Sequence, residues 1–451
     1  MRIFLIASGV PFRRHDQPGV TAVHLVSYAL LKSLMDADHH VALQLIFNPF
    51  RTAGMLTSLE QDALDHLRGL GVEVLAPYYP RDYRAVRPST NHLKRWYRAI
   101  LRAVPMARIK RFYPAIMLRD AVCARARSYQ AQVILTFWSP EGVAATHGLQ
   151  EIPRIAYQGD VDFAALAVRL QDWRLFSSDG NNRLARLWRR PKLLAQHLQL
   201  AQFKRVHFQL MRPVRVIANV TASNAQVYRA QGHPRAIYIP NTWERSDDGQ
   251  EGNGTRRSLT ADGTRPINII GHLGYLNRTG STYGLRFLLE DVAPRLRHVM
   301  EGRPYQIHII GGGEAAPSLK RLLIQEGVIV HGYVEDLDHA LRSSDVFLLL
   351  NNVGGYRVAY TRHLVAWSMG LCLVVHRNSQ EAIPEIQHME NALVGSTADD
   401  IANLVALATT NAEVNQRIRA GGKATYEQYF RPSVIAKALC EEMSRMVEQP
   451  I

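Results

Sequence analysis

Residues 305–350, YQIHIIGGGEAAPSLKRLLIQEGVIVHGYVEDLDHALRSSDVFLLL, decide the fold. The aliphatic run 307–310 turns at once on Gly311-Gly312-Gly313-Glu314. A helix is expected over 318–325, a strand over 328–330 ending at Gly332, and a longer strand over 345–350. That strand ends on Asn351-Asn352 and the Gly354-Gly355 pair. A helix with Arg362 near its start then reaches Gly370, and 371–375 is the next strand. Aliphatic runs of this length, alternating with helical segments, are the pattern of parallel strands covered on both faces. In such sheets ligands bind at the carboxyl ends of the strands. The glycines, Asn351, Asn352, Arg362, Glu381 and Glu385 all fall there.

The pattern occurs twice. Residues 2–7 read as a strand, and 8–19 as a loop with Gly9, Pro11, Pro18 and Gly19. A helix over 20–35, a strand over 40–45, a helix over 56–70 and a strand over 72–75 complete a βαβαβ start. Further strands are expected at 132–137, 154–157, 214–220 and 236–241, with long basic helices over 163–212. Residues 247–265, rich in Gly, Asp, Arg and Ser, read as an exposed connector. The second unit opens at 267–270, turns on Gly271-His272-Leu273-Gly274 and continues as a helix over 283–299. The class is therefore α/β, with two doubly wound Rossmann-like domains facing a cleft. The expected limits are 1–240, a linker at 241–265, 266–430, and a terminal helix at 431–451 able to cross back to the first domain.

A chain of 451 residues, 47% of them apolar, can bury two or three cores. Cys123, Cys372 and Cys440 are far apart and carry no disulfide or metal spacing, which favours a reducing compartment. No run reaches the ~18 apolar residues of a membrane span. Arg13 and Arg14 follow the apolar start rather than precede it, the reverse of a signal peptide. Charge is uneven: residues 1–240 hold 33 Lys+Arg against 15 Asp+Glu, and residues 241–451 hold 21 against 24. Thirteen basic residues lie between Arg81 and Arg127, interleaved with Tyr83, Trp96, Tyr97, Phe112 and Tyr113. Such a segment suits an anionic membrane surface or a phosphate-bearing acceptor. Packing of its apolar face on the domain is an equal alternative. No nucleic-acid motif accompanies it, and nucleic acid is not expected as a partner.

Five segments in order resemble GT-B glycosyltransferases, most of all glycosyltransferase family 4. They are VIANVTASNAQVYRAQGHPRAIYIPN (216–241), GHLGYLNRTGSTYGLRFLLEDVAPRLR (271–297), IHIIGGG (307–313), VIVHGYVEDLDHALRSSDVFLLLN (328–351) and AIPEIQHMENALV (382–394). The resemblance spans nearly the whole chain and is sharper in the second half. It implies transfer of a sugar from a nucleotide-sugar, UDP- or GDP-linked, to a glycan or lipid-linked acceptor held by the first domain. It further implies retention of configuration, no metal, no cofactor, and a cytoplasmic, membrane-peripheral place in cell-surface polysaccharide or glycolipid assembly.

A departing diphosphate calls for cations and backbone N–H groups at helix starts. The resemblance places Arg362 and Asp160 in catalytic roles, with Asp160 positioning the acceptor or stabilising charge. It places Gly271, Arg278, Gly311, Gly312, His331, Asn352 and Glu385 on the donor and Gly19 on the acceptor. The plain alternatives are a surface charge for Arg278, tight turns for the glycines and a structural loop aspartate for Asp160. An arginine fork suits paired phosphate oxygens. The chain departs from the family where two glutamates stand eight positions apart: here those positions hold Arg357 and Val365. After the strand ending at Gln158 the polar groups are Asp160 and Asp162, where the family frequently has a histidine. Asp160-Val161-Asp162 has the letters of a metal motif but lies in the acceptor half. Two other readings follow, a catalytically silent GT-B binding subunit and a GT-B epimerase that alters a nucleotide-sugar without an acceptor.

Overall fold

A computed structural model describes residues 1–13, 21–48, 51, 54–83, 105–176, 183–244, 265–354 and 361–449. Residues 105–108, 174 and 183–192 are described in the backbone alone. Gly19, Gly355, Arg357 and residues 84–104 of the basic segment lie outside the described residues.

Two parallel sheets carry the chain. The first contains β1 (Arg2–Ala7), β2 (His40–Leu45), β3 (Glu73–Val74), β4 (Val133–Phe137), β5 (Arg154–Gln158), β6 (Val216–Asn219) and β7 (Ala236–Tyr238), ordered β3-β2-β1-β4-β5-β6-β7. The second contains β8 (Ile267–Leu273), β9 (Tyr305–Ile310), β10 (Val328–Gly332), β11 (Val346–Leu349), β12 (Leu373–His376) and β13 (Leu393–Gly395), ordered β10-β9-β8-β11-β12-β13. Strand order reverses between β1 and β4 and again between β8 and β11. These reversals open a crevice at the carboxyl ends of each sheet. The central strands are buried on both faces, as their unbroken aliphatic runs require.

Several elements differ from the sequence expectation. Residues 318–325 form turns and a short 3-10 helix, Leu322–Ile324, because Pro317 and Gly327 leave too few residues for a helix with a buried face. The expected helix 283–299 starts earlier, at Thr279, and passes through a π-helical stretch Phe287–Val292 before Ala293–Val299. The helix expected over 398–428 breaks at Asn411, whose side chain accepts from Val414 N–H and caps a second helix, Ala412–Tyr429. In the basic segment Phe112 stacks on Phe203 at 5.1 Å and Tyr113 is buried, so both aromatics serve packing.

The chain crosses between the domains twice. At the first crossing Tyr157 O–H donates to the Pro240 carbonyl at 2.7 Å. Thr242 O–H donates to the Phe430 carbonyl at 2.7 Å, and Tyr426 O–H to that of Trp243 at 2.6 Å, which ties the crossings together. The last helix, Pro432–Glu448, then packs on the first domain. Ile435, Ala436, Leu439, Met443 and Met446 join the core formed by Leu30, Leu31, Leu34 and Leu43. Arg235 pairs with Glu442 at 2.6 Å on its polar side. Leu439 is fully buried, so Leu439→Ala is expected to cost about 2–5 kcal/mol of first-domain stability. A urea titration followed by first-domain tryptophan fluorescence checks this; an unchanged midpoint would show that the helix does not bear on that core.

Candidate functional site

The donor-side crevice is built by two turns stitched together by backbone. Gly274 N–H donates to the Ile310 carbonyl at 2.9 Å and Leu276 N–H to that of Gly312 at 3.0 Å. Gly311 sits at φ +141°, and a Cβ there would lie 2.0 Å from the Gly274 carbonyl oxygen. Only glycine allows this approach. Gly271 serves packing: a Cβ would meet Ile307 and Leu288 at 2.5 and 2.7 Å. The helix Thr279–Arg286 begins directly after the first turn, with Arg278 extended at its N-cap and its side chain exposed.

Arg362, in the first turn of the helix Thr361–Ser368, reaches back over this turn. Its Nη2 donates to Ser281 Oγ at 3.5 Å, and its Nη1 stands 3.4 Å from His272 Nδ1. His272 is buried, and its other nitrogen lies 3.1 Å from the Gly274 carbonyl. A carbonyl only accepts, so Nε2 carries the proton and Nδ1 offers its lone pair to Arg362. Burial, then the adjacent guanidinium, push the His272 pKa well below its ordinary value and keep the ring neutral. One guanidinium, one helix start and two glycine-rich turns thus come together, groups of the kind that bind phosphate. His272 and Ser281 were absent from the expected site. Their signal was the turn GHLG and the polar start of the helix after it, both of which read equally well as turn chemistry.

The other expected residues are distributed around this centre. Glu385 accepts from Tyr238 O–H at 2.8 Å, a hydrogen bond that joins β7 of the first domain to the second. Burial pushes the Glu385 carboxyl upward. Asn352 lines an interdomain cavity of about 440 Å³ with Asp172, Tyr283 and Arg286. Its side-chain oxygen is buried without a hydrogen bond among the described residues. His331 stacks on His308 of the neighbouring strand, with ring nitrogens 2.8 Å apart. Val365 is buried in an apolar cluster with Leu364, Trp367 and Phe430. Gly312 accepts at the stitched turn, and Gly19 is outside the described residues.

In the first sheet, β1 and β4 part at the strand reversal, where Ser8 O–H donates to Ser139 Oγ at 2.7 Å. Trp138 holds a left-handed φ of +44°, unusual for a bulky residue, and Gly159 lies against its ring. The loop after β5 carries Asp160 and is anchored through Asp162. Tyr113 O–H donates to Asp162 Oδ2 at 2.8 Å, His207 Nδ1 is 2.8 Å from the Tyr113 oxygen, and His207 Nε2 is 2.8 Å from Tyr228 O–H. A one-way chain from Tyr228 through His207 and Tyr113 to Asp162 satisfies every atom in it. Among the described residues no group of three or more His, Cys, Asp or Glu is placed to hold a metal ion.

Residues 267–411 match the family model described as glycosyl transferases group 1. The matched residues are those that carry the second sheet. No curated protein matches the chain. Solved structures share the whole architecture at low identity. A glycosyltransferase from Rickettsia africae ESF-5 gives a TM-score of 0.57 at 10% identity, over 100% of this chain and 99% of that one. The Anabaena protein HepE, solved with UDP-glucose, gives 0.56 at 11%, over 98% and 100%. Sucrose-phosphate synthase from Thermosynechococcus elongatus gives 0.57 at 11%, over 99% of each. The fold is GT-B, and the family domain supplies the Arg362 centre.

Glu141 is a further group missed in the sequence, where it reads as a first-turn acid after the Ser139 cap. Burial pushes its carboxyl up to about 7, against a hydrogen bond from Ala115 N–H at 2.9 Å. The native state therefore keeps a proton that an unfolded chain releases near 4.5. Stability attributable to Glu141 is complete below about pH 4.5 and is lost as pH rises through about 7, roughly 3 kcal/mol in all. Glu141→Gln should flatten that slope, measured as urea midpoints across the window; an unchanged slope would show that Glu141 does not retain the proton.

Proposed function

We propose that this GT-B protein transfers a sugar from a UDP- or GDP-sugar to a glycan or lipid-linked acceptor, with retention and without a metal. The observation that carries the reading is the convergence of the Arg362 guanidinium, the start of the helix Thr279–Arg286 and the stitched turns at Gly274 and Gly311, inside the family domain. In this reading Arg362 neutralises the departing diphosphate, backbone N–H groups of the helix start and the turns bind its oxygens, and neutral His272 holds the guanidinium in place. Arg278 and Glu385 complete the donor side. Asp160, held by the anchored loop, faces the acceptor. HepE, which shares the fold, was solved with UDP-glucose, and UDP is accordingly the first nucleotide to test.

The acceptor side is assigned to an anionic or phosphorylated partner, on the inner membrane face, in cell-surface glycan assembly. The charge excess of the first half supports this. So do Leu194 and Leu198, exposed one turn apart on the helix Arg183–Met211. Among the described residues no helix is long and apolar enough to cross a membrane.

A second reading, a binding subunit that retains nucleotide but does not turn it over, is favoured by one observation: Val365 fills with a core side chain the position where the family places a carboxylate. Thermal stabilisation and hydrolysis across UDP-, GDP- and ADP-sugars separate the two. One donor is expected to bind and turn over, with Arg362→Ala weakening it about tenfold or more. Binding without turnover in the presence of acceptor extracts would select the silent subunit, and no binding by any donor would reject both readings.

A further inference from the structure

The chain that leaves the Asp160 loop does not stay within the first domain. The helix Ala164–Gln171 and the short helix Trp173–Phe176 run out to the first turn of the donor domain. Arg169 Nε donates to Thr279 Oγ1 at 2.7 Å, and its Nη2 donates to the Asn277 carbonyl at 3.2 Å. Tyr283 O–H donates to the Asp172 carboxylate. Ser318 O–H donates to the Leu175 carbonyl at 3.2 Å. Val168, Leu175, Tyr283 and Val353 close an apolar cluster beneath these bonds.

The residues grasped are not arbitrary. Asn277 and Thr279 flank Arg278, and Thr279 opens the helix whose start lies beside Arg362. Thr279 is buried, so its hydroxyl and the Asn277 carbonyl are fixed by a cation that belongs to the other domain. That hold adds to the backbone bonds of Gly274 and Leu276 in fixing the direction of the first-turn N–H groups.

We infer that Arg169 and Asp172 are positioning residues that shape the donor's phosphate loop, 277–283, from the acceptor-side domain. This role rests on the donor reading of that loop. Neither residue touches donor; both act through Thr279, Asn277 and Tyr283. The segment 158–176 is continuous, with Asp160 and the Asp162 anchor at one end and the clasp at the other.

The test uses the full chain and two readouts. Hydrogen exchange of the nucleotide-free protein should show faster exchange over 277–283 in Arg169→Ala than in the parent, with β1 and β4 unchanged. Calorimetric titration with UDP, or GDP if the donor panel selects it, should show Arg169→Ala weakened about fivefold, the size of one hydrogen bond to a partly exposed charge. Donor KM should rise with kcat near the parent's and acceptor KM unchanged. Arg169→Lys should recover part of the loss, since an ammonium reaches Thr279 without the fork to Asn277. Thr279→Val combined with Arg169→Ala should be no worse than Arg169→Ala alone. Unchanged exchange in Arg169→Ala, or additive losses in the double variant, would overturn the clasp. A parent that binds no nucleotide overturns the donor reading and this role with it, even where the exchange result stands.

Discussion

The return of the helix Pro432–Glu448 to the first domain is the constraint on which the rest depends. By sequence it follows the second domain; by packing it belongs to the core of the first. Burial of Ile435, Leu439, Met443 and Met446, each contributing about 1.5–3 kcal/mol, fixes the second crossing, and the hydrogen bonds of Thr242 and Tyr426 fix the first crossing to the second. Two domains that would otherwise be beads on a linker then face each other with their strand ends opposed. The cleft and its cross-domain contacts, Tyr238 with Glu385 and Arg169 with Thr279, follow from that closure.

The chemistry of the cleft rests on charge kept in unusual company. The Arg362 guanidinium stands beside an imidazole that would repel it if protonated. Burial disfavours protonation, so His272 acts as an acceptor toward the guanidinium. On the opposite wall the Asp162 carboxylate is held by Tyr113, and Glu141 nearby stays protonated up to about 7. Burial is the main cause that sets the state of His272 and of Glu141.

The double α/β architecture and the strand ends were legible because aliphatic runs of four to six residues occur where parallel strands need them. Gly311 was legible as a turn; its near-contact with Gly274 was not, since the two are 37 positions apart and meet only through the register of β8 and β9. Arg362 could be singled out because an arginine at a helix start opposes the macrodipole and asks for another reason. His272, Ser281, Glu141 and the His207 chain could not, because each looks locally like a turn, a cap or a core residue. In the basic aromatic segment the packing alternative holds for Phe112 and Tyr113, which stand among arginines in sequence and pack inward. Val365 stood out in the sequence only against the resemblance, and the structure adds that its side chain is buried in the core.

The paired crossings also have a mechanical meaning. A single connecting strand lets one body swivel about the chain as well as bend. Two strands side by side, laced by Thr242 to Phe430 and by Tyr426 to Trp243, suppress the swivel and leave bending about the line that joins them. Opening of this cleft is then a door on two pins, and the lips of the cleft travel along one arc.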